Sequence, residues 1–201
     1  LETIGVYEIV FNYQVNPSWS SNLNLFQYKA SNIITFVKDA SGLSATAQNF
    51  GTQIGNGLEV ETSYKSSSFF SITGNYSYVK ATDKKSSKAA GEYPIHKVYV
   101  RDEWTFSKNW KWGNQVEWIG KRERTPTDNR NPLGGYTTVN TMLENKNVFK
   151  NCDIIISLRN IFDTDMREPS LGPGPTSTSS SIPHDLPEAG RNMNVALNYH
   201  F

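Results

Sequence analysis

His184 and Asp185 stand beside the serine-rich run Ser177–Ser181. A base, an orienting carboxylate and a hydroxyl nucleophile are the parts of a hydrolase, but those parts must converge on one point. Nothing in this Pro/Gly/Ser-rich stretch fixes the serines, so it reads as a polar loop with a "PHD" turn. His96, His184 and His200 lie far apart in the chain, with none of the spacing that holds a metal. The single cysteine, Cys152, sits in the strand-like "CDIIISLRN" and is expected to pack as a small hydrophobe. No glycine-rich phosphate loop is present, and the acceptor-like "NYS" (75–77) lies in mid-strand. We therefore expect no catalytic residues, no metal ligands and no cofactor, and a protein that is not an enzyme.

The chemistry that stands out is charge. "GKRERTPTDNR" (120–130) carries Lys121, Arg122, Arg124 and Arg130 against Glu123 and Asp128. "DKKSSK" (83–88) sets Lys84, Lys85 and Lys88 against Asp83. With Arg167, the positions Lys84, Lys85, Lys88, Arg122, Arg124 and Arg130 are candidate contacts for an anionic ligand, drawn in by long-range steering. For any single one of them, solvation of the loop or contact with anionic lipopolysaccharide is the favoured reading. The formal net charge of the chain is only +1, which gives no support to a nucleic-acid partner.

What must position these loops is strand. The end of the chain, "NMNVALNYHF", places Met193, Val195, Leu197, Tyr199 and Phe201 on one face and Asn192, Asn194, Asn198 and His200 on the other. Tyr7, Ile9, Phe11, Tyr13 and Val15 alternate in the same way, as do Phe70, Ile72, Tyr76 and Tyr78, and Leu58, Val60 and Tyr64. Nine strands are predicted near 5–15, 21–37, 45–65, 69–82, 94–107, 111–121, 135–146, 152–162 and 190–201. The faces of 135–146 are ambiguous, and adjacent Leu25 and Phe26 suggest a bulge. Hydrophobic residues make up 37% of the chain and mean hydropathy is −0.54. That is polar for so much strand, but it suits a barrel with lipid outside and water inside. No run of about 18 apolar residues marks a transmembrane helix, and no signal peptide opens the chain.

The connections alternate. Those at 16–20, 65–68, 107–110 and 145–151 are short; those at 38–44, 81–93, 121–135 and 163–190 are mostly longer. Outer-membrane barrels have short periplasmic turns and long extracellular loops. Trp19, Phe69, Phe70, Trp110, Trp112 and Phe149 gather at the short turns, with Tyr199 and Phe201 on the same side. This is the pattern of an aromatic girdle at a membrane interface.

The chain resembles the carboxyl-terminal barrel of TonB-dependent outer-membrane receptors. The resemblance rests on "GYTTVN" (135–140), "LRNIFD" (158–163), "IPHDLPEAGR" (182–191) and the terminal "YHF", with earlier agreement at "YEIVFNYQV" (7–15), "NFGTQIGNGLEVE" (49–61) and "GNYSYVKATD" (74–83). It implies an all-β fold: an antiparallel up-and-down meander of about nine strands, the last part of a 22-stranded transmembrane β-barrel. Residues 1–201 would form one portion of the barrel domain, without the plug and earlier strands. It also implies TonB-energised uptake of a scarce nutrient, by default a ferric siderophore, in the outer membrane of a Gram-negative bacterium. The implied partners are outer-membrane lipid and lipopolysaccharide, the cargo, an amino-terminal plug domain, and TonB through a segment outside this chain. Tyr199 and Phe201 would carry the barrel-assembly signal. Inward-facing Glu59, Glu61, Arg101, Glu103 and Arg159 would pair in the lumen or hold the plug, and loop 163–190 would close over cargo. Two alternatives are a small self-contained outer-membrane barrel acting as a pore or adhesin, and a soluble carbohydrate-binding β-sandwich.

Overall fold

The computed structural model describes residues 1–66, 68–174, 176–177, 179–180 and 182–201. Ser67 of the short connection 65–68, and Pro175, Thr178 and Ser181 of loop 163–190 and the serine run, lie outside the described residues.

Eight long strands follow one another: β1 (Thr3–Asn16), β2 (Trp19–Lys38), β3 (Ala45–Ser66), β4 (Phe70–Asp83), β5 (His96–Thr105), β6 (Trp110–Ile119), β7 (Tyr136–Phe149) and β8 (Cys152–Arg159). Two short strands, β9 (Arg167–Glu168) and β10 (Leu186–Pro187), precede the last, β11 (Asn192–Tyr199). β1 to β8 and β11 form one nine-stranded sheet in sequence order, each pair antiparallel. Its ends are β1 and β11. β9 and β10 pair with each other across Leu186↔Glu168 and Pro187↔Arg167. Two residues of alternating pattern are too short a signal to see in a Pro-rich loop, so the sequence does not announce them.

Residues directly opposite in a ladder share a face, so the register sorts the side chains. One row runs Phe11↔Leu23↔Val60↔Tyr76↔Val98↔Trp118. Others run Val100↔Val116↔Val139 and Leu143↔Ile156↔Val195. This face is apolar. The opposite face carries Asn24↔Glu59↔Ser77↔Lys97 and Asn22↔Glu61↔Asn75↔Tyr99↔Glu117. The ambiguous strand is settled by pairing: Val139, Thr141 and Leu143 join the apolar face, while Thr138, Asn140 and Glu144 join the polar one.

Among the described residues the apolar face meets no second sheet. Ala81, Ile119 and Leu133 are the buried hydrophobic residues among those described, whereas Ile9, Phe11, Met193, Val195 and Leu197 are exposed. A β-sandwich must bury that face between two sheets, so the sandwich alternative fails.

The bulge expected at Leu25–Phe26 is absent. The ladder is unbroken there, with Leu25↔Leu58 and Phe26↔Gly57. Phe26 is tolerated on the polar face because it lies over Gly57, where a Cβ would sit 2.6 Å from Phe26 Cζ. The irregularities of β2 fall instead at Ser31/Ile33 and Ile33/Ile34, around the positive-φ Asn32.

The short connections gather at one end of the sheet. Trp19, Phe70, Trp110, Trp112, Phe149 and Tyr199 stand there, joined by Trp104 and Phe106. Phe70 and Trp104 rings are 4.3 Å apart, and Tyr199 and Phe201 meet edge to face at 5.2 Å.

Candidate functional site: the cluster of long connections

The other end of the sheet carries the connections after β2, β4, β6 and β8. Two of them, after β6 and after β8, are tied together by a charged network. Arg124 forks onto Asp185, with Nη1–Oδ1 at 2.6 Å and Nη2–Oδ2 at 2.7 Å. Arg130 holds Asp128 at 2.7 Å and reaches Asp185 at 3.4 Å. It also donates to the Ser170 hydroxyl and to the carbonyls of Ser170 and Ile182. Ser170 closes the ring by donating its backbone N–H to Asp185 Oδ1 and its hydroxyl to Ile182 O. Bidentate charge-assisted bonds of this kind fix geometry as well as adding energy.

Burial makes the network matter. The side chains of Asp128 and Asp185 are 1% and 9% exposed. The hydrogen bond from Arg130 holds Asp128 below the usual carboxylate range. The fork from Arg124 holds Asp185 further below it. Asp128 in turn raises the Arg130 guanidinium. His184 and Asp185 thus form no catalytic pair: Asp185 is taken by two arginines, and the His184 carbonyl accepts Arg167 Nη1.

Arg122 is buried beneath this layer. It donates to Glu168 Oε1 at 2.8 Å and lies over the Tyr136 ring, whose hydroxyl also donates to Glu168. Gly91 shows how tightly the loops abut. Its φ is +83°, and a Cβ there would run into the backbone of Arg124 and Thr125; only glycine accepts both conditions. Tyr93 fastens the same loop to β4, donating to Ala81 O and accepting from Ala81 N–H. After β8, Asn160 at φ 48° accepts from Thr164 N–H and donates back to Thr164 O. Asp163 then accepts the backbone N–H of Arg191, closing the base of the long loop.

The seven cationic candidates therefore divide. Arg122, Arg124 and Arg130 are brought together by the loops, and carboxylates compensate their charge. Arg167 pairs with exposed Asp165 at 3.0 Å. Lys84, Lys85 and Lys88 make no ion pair among the described residues; Lys85 lies over the Phe50 ring and Lys88 reaches Pro126 O. Lys85 also lines an open cavity of about 430 Å³ with Phe36, Thr127, Pro173 and Ser177, where three of the long connections meet the end of β2. Of the anchors of the arginines, Ser170 and Glu168 were not singled out by sequence, and Asp185 drew notice there only as a possible partner of His184. Residues 121–135 carry four cations against two acids, and residues 163–190 carry five acids against one cation; that opposite excess is the sequence signal that the two loops pair with each other.

Glu59, Glu61, Arg101, Glu103 and Arg159 all fall on the polar face. Arg101 and Lys111 flank Glu103 at 3.7 and 3.5 Å, Lys97 pairs with Glu117 at 2.7 Å, and Glu61 accepts from Asn75. His96 lies on the opposite face, bonded to the Tyr76 hydroxyl, and His200 contacts Asp153 at 3.0 Å, so the three histidines do not meet.

A family model described as "TonB dependent receptor-like, beta-barrel" matches residues 4–161. The fold is similar to that of the ferric yersiniabactin uptake receptor FyuA from Yersinia pestis, with a TM-score of 0.81 at 16% identity over 100% of this chain and 30% of that one. It is also similar to the ferric-catecholate import receptor Fiu from E. coli K12 (TM-score 0.74, 18% identity, 100% of this chain and 28% of that one). The copper transporter OprC gives a TM-score of 0.77 at 15% identity over 100% of this chain and 32% of that one. The chain spans less than a third of the length of each. No curated protein matches the sequence.

Proposed function

Because the chain belongs to the TonB-dependent receptor β-barrel family, we propose that it forms part of the barrel of an outer-membrane transporter for scarce nutrients, with a ferric siderophore as the cargo class. The observation that carries this reading is the two-faced sheet with dissimilar ends. Its apolar face suits lipid, its polar face suits a lumen, and its aromatic end suits the periplasmic interface. The work is transport rather than catalysis.

In this reading the plug docks against the polar face, near Glu59, Glu61, Arg101, Glu103 and Arg159. TonB is engaged by a segment outside this chain. Lys29 and Lys80, exposed on the apolar face toward the loop end, would contact lipopolysaccharide. Tyr199 and Phe201 serve as the barrel-assembly signal. The paired arginines shape the loop platform, and Lys84, Lys85, Lys88 and Arg167 attract an anionic chelate. Loop 163–190, anchored at Asp185 and Asp163, closes over it.

The test is uptake of radiolabelled ferric siderophores of differing net charge by cells carrying the full-length protein. Replacing Lys84, Lys85 and Lys88 together by alanine should slow association of the anionic cargo about threefold to tenfold at low salt and flatten its salt dependence. An unchanged rate and salt slope would remove these lysines from cargo capture.

A further inference from the structure

Asp102 is out of place. It lies on the apolar face, in the row Ile72↔Asp102↔Asn114↔Thr141↔Leu158↔Met193. The other charged side chains that the strand registers put on this face, Lys29 and Lys80, are at the opposite end. Trp104, two residues on, is at the aromatic end. At about 3.3 Å per residue and a tilt near 40°, Asp102 stands roughly 5 Å inside the aromatic level. An ionisable group there is costly and points to a function and a partner.

Its surroundings leave half of the carboxylate open. Asp102 Oδ1 accepts the Trp104 indole N–H at 2.8 Å and the Asn114 amide at 3.0 Å. The chain continues as Thr141 donates to Asn114 Oδ1 at 2.8 Å and accepts the Trp112 indole N–H at 2.8 Å. Oδ2 accepts no hydrogen bond, and Asp102 makes no ion pair, among the described residues. Arg101, Glu103 and Lys111, its charged neighbours, occupy the opposite face. Next to Thr141, at the end of this polar row, an apolar groove of about 410 Å³ is walled by Phe106, Trp112, Leu143, Ile156, Leu158 and Met193.

We propose that this surface binds a phospholipid of the periplasmic leaflet whose headgroup ends in a primary ammonium. The ammonium pairs with Asp102, and an acyl chain lies in the groove. The choice of occupant rests on charge complementarity. The site offers a carboxylate with no protein cation among the described residues, within reach of a headgroup at the aromatic level, beside a groove that is almost wholly apolar. The two tryptophans give their N–H groups to Asp102 and Thr141, so they are not free to hold a phosphate, and an anionic headgroup would meet only repulsion.

The inference rests on the outer-membrane reading, and its test keeps the two apart. The full-length protein is first located by membrane fractionation. It is then purified in mild detergent, stripped of lipid, and titrated with phosphatidylethanolamine, phosphatidylglycerol, and phosphatidylethanolamine acylated on its nitrogen, with bound lipid counted by native mass spectrometry. The wild type should retain phosphatidylethanolamine about fivefold over the other two. Asp102→Asn, which keeps the acceptor for Trp104, should lose that preference. Leu158→Trp, which fills the groove, should lower retention of all three. Absence from the outer membrane would overturn the transporter reading itself. Presence there, with equal retention of the three lipids or an unchanged preference in Asp102→Asn, would overturn the lipid site alone. A basic protein that copurifies through Asp102 in place of lipid would also overturn it.

Discussion

Asp185 shows how much one carboxylate can organise. It joins the connection after β6 to the one after β8 through Arg124, Arg130 and Ser170. Its folded pKa is depressed, as is that of Asp128. Groups of that kind contribute stability above the unfolded value and lose it as pH falls through the folded one. Nicking of loop 163–190 by an acid-tolerant protease should therefore stay constant from neutral pH down to about 4 and rise below that. A profile that already changes well above pH 5 would contradict the assignment to these two carboxylates. Arg124→Ala leaves the buried carboxylate only the more distant Arg130 and Ser170 as partners, and should loosen the loop by about 1–3 kcal/mol, read as faster hydrogen exchange at Ser170 and Asp185. Exchange as slow as in the wild type would show that Arg130 suffices.

At the scale of the element, strand pairing imposes constraints that no single strand reveals. Gly57 sits under Phe26 and against the Tyr78 carbonyl. Gly57→Val would force the β3–β4 ladder apart, and should lower the heat-modification temperature of the barrel by an amount equivalent to about 1–3 kcal/mol. An unshifted temperature would mean that Phe26 swings away freely. Deleting Phe201 should reduce the steady-state amount in the outer membrane several-fold without altering the temperature of what is assembled. A normal amount would remove the terminal ring from the assembly signal.

The strands themselves were legible because period-two alternation survives wherever one face is apolar. All nine of the main sheet are where that pattern puts them. What escaped was whatever depends on a neighbour. The glycine of an adjacent strand makes Phe26 acceptable without a bulge. Asp102 looked ordinary until the register placed it on the apolar face. The candidate arginines carried a visible charge, but their partners Glu168 and Asp185 lie 46 and 61 residues away. Pairing over such distances comes from the fold and leaves no local trace.

At the scale of the whole molecule, the sheet has two open edges, β1 and β11. Open edges cannot be satisfied in hydrocarbon. An outer-membrane barrel therefore requires further strands beside them. The most direct measurement is the mass of the native protein, detected in purified outer membranes with an antibody against residues 163–190, with and without iron starvation. The account predicts a band about three times the 22.6 kDa of this chain, stronger when iron is scarce. A band near 22.6 kDa in that membrane, or any band confined to the soluble fraction, would contradict it.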